Sequence, residues 1–153
     1  MSYAEKTTIA FDRSIRDIVS MLRNFGADSF GQIEDRGSFA IQFFSNERLI
    51  RFRVKFPELD QMPSHDGNRR ELSDKQRLDR VDQAKRQRGR ALMLVIKAKL
   101  ESIRSEVETF EQAFLANVVM ADGQTVFDRI QAPIAAEYQS GVSTTLMLGG
   151  PTS

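Results

Sequence analysis

Phe39-Ala40-Ile41-Gln42-Phe43-Phe44-Ser45-Asn46-Glu47-Arg48-Leu49-Ile50-Arg51-Phe52-Arg53-Val54-Lys55-Phe56-Pro57 is the stretch whose pattern sets the fold. Its second half alternates strictly between apolar and cationic residues, the period of a strand with one buried face. Ile50, Phe52, Val54 and Phe56 go to the core side, and Arg51, Arg53 and Lys55 to the other. Phe39, Ile41 and Phe43 alternate likewise ahead of Ser45-Asn46-Glu47-Arg48, which reads as a hairpin connection and leaves Phe44 near the turn as an exposed aromatic. Pro57 ends the second strand, because proline cannot donate to a ladder.

Working toward the N-terminus, Asp35-Arg36-Gly37 is a turn. Asn24-Phe25-Gly26 stops a helix, with Gly26 suited to a left-handed position after it. That helix opens at Ser14-x-x-Asp17, a variant of the capping box, and Ile15, Ile18, Val19 and Leu22 form its apolar stripe. The β-branched and aromatic run Lys6-Thr7-Thr8-Ile9-Ala10-Phe11 predicts a short strand or extended arm. Toward the C-terminus, residues 58–73 read as a polar loop. From about Asp74 to Met120 the pattern is helical, with Leu92, Ile96, Leu100, Ile103, Val107, Phe110 and Phe114 on one stripe. Gly89 interrupts it at an intrinsic cost of about 1 kcal/mol relative to Ala, which suggests a kink or two helices. Asp122-Gly123 is a turn, and Thr125 caps a short last helix that Pro133 bends or divides. The expected fold is α+β. An N-terminal strand and helix and a β-hairpin pack against a long amphipathic helix, followed by a short C-terminal helix, in one domain over 1–142 with a mobile tail at 143–153.

Charge is distributed unevenly. The 153 residues hold 22 Lys or Arg and 21 Asp or Glu, yet residues 69–104 hold 12 of the former and 5 of the latter. Lys85, Arg86, Arg88, Arg90, Lys97 and Lys99 fall in a window without a carboxylate, so local ion pairs cannot neutralise them apart from flanking Asp82 and Glu101. On a helix Arg86, Arg90 and Lys97 share a side, and Lys85, Arg88 and Lys99 broaden it. Such asymmetry points to polyanionic partners. Arginines interleaved with an aromatic on an open sheet suit single-strand recognition, in which bases stack and phosphates are neutralised. Against this stands the plain alternative that the cations face solvent or pair with Glu34, Asp35, Glu47 and the acidic stretch Glu101–Glu111.

The chain resembles small uncharacterised proteins encoded by phages and prophages. The resemblance rests on Asp12-Arg13-Ser14, Gly26-Ala27-Asp28-Ser29-Phe30, Arg48-Leu49-Ile50-Arg51-Phe52, Asp122-Gly123-Gln124-Thr125 and, most of all, Arg86-Gln87-Arg88-Gly89-Arg90-Ala91-Leu92-Met93-Leu94-Val95-Ile96-Lys97-Ala98-Lys99-Leu100-Glu101. An aromatic residue is associated with the place of Gly89 in such proteins, so this sequence departs there. The resemblance implies a mobile-element origin and brings no activity, cofactor or site residue with it.

Chemistry-bearing motifs are few. There is no cysteine, which excludes disulfides, thiolate metal sites and cysteine nucleophiles. His65, the single histidine, sits in Pro63-Ser64-His65-Asp66-Gly67 and reads as a polar loop residue, with no Gly-x-Ser-x-Gly context for a triad. No phosphate-binding loop or dinucleotide fingerprint is present. Glu101, Glu108 and Glu111 with Asp122 could hold a divalent ion or simply be solvated. We therefore name no catalytic residue, metal or cofactor, and an enzyme is the minority reading. No apolar run approaches the roughly 20 residues that span a bilayer, and no leader opens the chain, so the sequence reads as soluble and cytoplasmic. Three functions stay open. The first is a DNA- or RNA-binding accessory protein using Arg51, Arg53, Lys55, Lys85, Arg86, Arg88, Arg90, Lys97 and Lys99. The second is an inhibitor or adaptor that meets an acidic host protein, with homo-oligomerisation expected. The third is a binder of a phosphorylated small molecule.

Overall fold

The computed structural model describes residues 3–59, 65 and 71–144. Its elements run α1 (Tyr3–Phe25), β1 (Asp28–Glu34), β2 (Ser38–Ser45), β3 (Arg48–Lys55), α2 (Asp74–Arg104), α3 (Phe110–Phe114), a 3-10 turn (Leu115–Asn117) and α4 (Val126–Ser140). The fold is α+β, with one antiparallel sheet in the order β1-β2-β3. The hairpin register pairs Ile41 with Phe52 and Gln42 with Arg51, so the alternation sorts the two faces as expected. Asn46 and Glu47 both take positive φ (53° and 61°), the twist that two-residue hairpin turns need.

Phe39, Ile41, Phe43, Ile50 and Phe52 cover one face of the sheet, and the helices bury it. Phe11, Ile15, Ile18 and Leu22 of α1 and Leu92, Ile96 and Leu100 of α2 pack there, joined by Phe110 and Phe114 of α3. Phe11 meets α2 at Gly89 and Phe25 meets it at Arg104, so the two long helices run parallel. Gly89 lies inside one continuous helix and does not divide it. A Cβ built there would stand 2.7 Å from Cδ2 of Phe11, a ring wedged edge-on between Phe39 and Phe56. The glycine is thus a seat for an aromatic from the neighbouring helix.

Two expectations need correction, one strand was missed, and one open alternative is settled. Residues 6–11 are helix, within α1, and not a strand or arm. Phe11 falls four residues before Ile15 on the buried stripe, and this tertiary packing overrides the strand propensity of the Thr-Thr-Ile run. The stretch 28–34, given no element by its sequence pattern, is the edge strand β1, irregular between Asp28 and Gly31, with Ser29 at φ 55°. The long helix ends at Arg104, well short of Met120. Glu106 turns the chain at φ 60°, Val107 is 76% exposed, and Thr109 starts α3 with a complete capping box to Gln112. Pro133 lies inside α4 as part of a single 15-residue helix. Gly26 takes positive φ and Thr125 caps its helix, as the sequence indicates, while the Ser73 cap of α2 carries no such reading. The expected loop over 58–73 and the tail over 143–153 fall largely outside the described residues.

Candidate nucleic-acid interface

The face of β3 turned away from the helices carries Arg51, Arg53 and Lys55 in a column about 13 Å long, set by the strand rise. What stands beside that column is fixed by the chain after α3. Asn117 donates its side-chain Nδ2 to the Arg51 carbonyl (3.0 Å), Val119 donates its N–H to the Leu49 carbonyl (2.8 Å), and Val118 bridges Ile50. The free edge of β3 is covered in this way, and a tight turn follows. Met120 and Gln124 hydrogen-bond across it, Val119 bridges Thr125, and Gly123 takes positive φ at its tip. Arg51 reaches over to donate to the Gly123 carbonyl (2.9 Å) and, through Nε, to Gln42 (3.3 Å).

Asp122 anchors the same turn. It accepts from the Gln124 N–H (3.0 Å) and pairs with Arg129 (3.2 Å), and these two contacts hold its carboxyl below the usual carboxylate value. Thr125 and Asp128 then close a reciprocal capping box. The first turn of α4 is aimed by these contacts, and it brings Phe127, Asp128 and Gln131 up as the second wall of a groove of about 460 Å³ whose first wall is Arg51, Arg53 and Lys55. Phe127 is 52% exposed. Among the described residues none of the three cations makes an ion pair, the ion pairs being Arg48–Glu111, Arg77–Asp74 and Arg129–Asp122. Arg53 only adds weakly to the lowering of the Asp35 carboxyl, which comes first from the Gly37 N–H.

The cations of α2 do not form one surface. Lys85, Arg88 and Lys99 lie on the side toward β3 and α3, each with a partner in the chain. Lys85 stacks over Phe56 (5.4 Å), Arg88 donates to the Lys55 carbonyl, and Lys99 donates to the Ala113 carbonyl (2.6 Å) while lying over Phe114. Arg86 and Arg90 line a different groove, against Arg13, Ser14 and Asp17 of α1, and Lys97 lies on that same side of α2 by helical spacing. Only Arg88 therefore touches the strand that carries the column, at the Lys55 carbonyl. The acidic stretch does not cover it. Glu111 pairs with Arg48, Glu108 accepts from Ser102 and Glu101 from Ser105, so the carboxylates grouped as a candidate ion site are engaged separately.

No protein-family model, curated protein or solved structure matches this chain. The geometry therefore carries the functional argument alone. Phe44, expected as the sheet's aromatic, does sit on the outward face at 42% exposure, yet it pairs with Leu49 at the far end of the hairpin and does not line the groove. The groove's aromatic is Phe127, which no local pattern marks. The Asp122-Gly123 turn and the Thr125 cap were legible, but their docking against a strand some 70 residues earlier was not. His65 forms a bridge to Glu71, away from this groove. Among the described residues no helix is long and apolar enough to cross a membrane.

Proposed function

We propose that this protein is a nucleic-acid-binding accessory protein of a phage or mobile element. It acts in the cytoplasm of a bacterial host and engages DNA or RNA largely without sequence specificity. The supporting observation is the column Arg51–Arg53–Lys55, cations set at alternate positions of a strand along one groove wall, none of them in an ion pair among the described residues. Backbone phosphates are what such a column neutralises, and each one released from its counterions steepens the dependence on salt by about 0.7–0.9 in the log–log slope. Arg88 meets this strand only at the Lys55 carbonyl, and Arg86, Arg90 and Lys97 lie outside the column.

The test is a titration of labelled single- and double-stranded oligonucleotides from low to moderate salt. The double variant Arg53→Gln, Lys55→Gln spares Arg51, which is held by Gln42 and Gly123. For a single strand it should flatten the slope by about 1.4. Binding that stays undetectable at low salt, or a slope unmoved by the double variant, overturns the reading.

A second reading, a module that binds an acidic protein surface, is favoured by one observation. Beyond its buried stripe, α2 exposes Ala91, Leu94, Val95 and Ala98 at the spacings of a second apolar stripe. Arg88, Arg90, Lys97 and Lys99 border it.

A further inference from the structure

The two walls of the β3–α4 groove differ in chemistry, and the difference has a consequence for what lies between them. One wall is cationic. The other offers an exposed aromatic ring and, one helical turn on, the amide of Gln131, together with the Asp128 carboxylate. A phosphate is drawn to the first wall and repelled from the second, because Asp128 stands on it. A heterocyclic base finds a π-face and hydrogen-bonding groups on the second wall and nothing apolar on the first. A ligand with an anionic spine and planar, polar-edged side groups fits this asymmetry along its whole length. A duplex does not, since its bases are stacked on one another and unavailable to a ring.

We infer that the groove takes single-stranded nucleic acid, with phosphates along Arg51, Arg53 and Lys55 and a base stacked on Phe127. This rests on the nucleic-acid reading above and adds the strand state, the polarity of the groove and the stacking residue. Phe127 projects from a helix turn fixed by the Thr125–Asp128 capping box and the Asp122–Arg129 pair, so its ring is positioned before any ligand arrives. Pre-positioning spares the ordering cost that a loop aromatic would carry on binding. Gln131, on the same face, is placed to meet the edge of the stacked base and can bond to any of the bases through its amide donor and acceptor.

The protein contains no tryptophan, so Phe127→Trp places a single indole at the ring position, a planar surface that keeps the stacking and reports it. Its emission should be quenched by a single-stranded homopyrimidine oligonucleotide and be little changed by a duplex of the same length. Phe127→Ala should weaken single-strand affinity about 5- to 150-fold, the range of one lost base–aromatic stack. The salt slope should stay unchanged, because no phosphate contact is removed. With Phe127 half-exposed, neither variant empties the core, and unchanged circular dichroism verifies that. If oligonucleotides bind with the full salt slope but Phe127→Ala has no effect, or if duplex binds as tightly as single strand, the inference is overturned and the broader reading stands. If neither form binds, both fall.

Discussion

Gly89 shows how a single residue can be misjudged from sequence and then explained by its neighbour. In isolation it is a weak point in a helix, and replacing it with alanine would add about 1 kcal/mol of helix propensity. In the molecule, that methyl group meets the Phe11 ring at 2.7 Å, and the ring cannot slide because Phe39 and Phe56 hold it from two sides. Overpacking of a well-filled core costs about 1–3 kcal/mol, which outweighs the propensity gain. Gly89→Ala is therefore expected to lower stability by about 1 kcal/mol in a denaturant titration. Phe11→Leu in the same chain should recover part of that loss, since the two positions share one volume and their effects do not add. A stabilised Gly89→Ala variant would show that the ring has room to move. The same residue scale explains Phe127, whose place in the groove depends on a strand remote in sequence and which no spacing rule could single out.

At the scale of elements, legibility followed periodicity and failed where tertiary contact decided. The hairpin and the inner stripe of α2 have a strong period, 2 in one case and 3.6 in the other, and both formed as the pattern requires. β1 has only Phe30 and Ile33 as large apolar residues and an irregular start, so its strand identity comes from pairing with β2. The break after Arg104 was hidden because Phe110 and Phe114 continue the arithmetic of the stripe while belonging to another helix. The signal that could have revealed it is the Thr109-x-x-Gln112 capping box. α4 stands apart from the other helices because it buries no residue and is tied to the rest chiefly at its first turn. Its amides should open at a few kcal/mol or less, against about 5–15 kcal/mol for the centre of α2 if the latter exchanges by global unfolding. Hydrogen exchange read by mass spectrometry checks this, with fast exchange over 130–140 and slow exchange over 92–100. Equal protection of the two segments would mean that α4 is packed more firmly than its exposure implies.

For the whole molecule, the near-neutral net charge conceals two faces of different chemistry. The β3–α4 groove lies on the outward side of the sheet. The exposed stripe of α2 lies on the opposite side of that helix from the stripe that packs on the sheet. Leu94 and Val95 are 47% and 46% exposed, within an uninterrupted apolar run from Ala91 to Ile96, and a helix apolar on both sides is normally covered on both. The cations bordering this stripe outnumber Glu101, the one nearby carboxylate on it, so a second copy laid against it would oppose like charges across the seam. That argues for an acidic partner over a homo-oligomer at this face. A helical peptide with leucines on one side flanked by glutamates is the matching probe. Fluorescence anisotropy of the labelled peptide should show binding that Leu94→Glu weakens at least tenfold, through lost apolar contact and added repulsion. The variant's unfolding free energy should stay within about 0.5 kcal/mol of the parent, because the site is already half in water. Its oligonucleotide affinity should not change, and Arg53→Gln with Lys55→Gln should leave peptide binding alone in turn. Coupling between the two sets of variants would mean that the faces are one surface. A peptide indifferent to Leu94→Glu would mean that the stripe is not where an acidic helix docks.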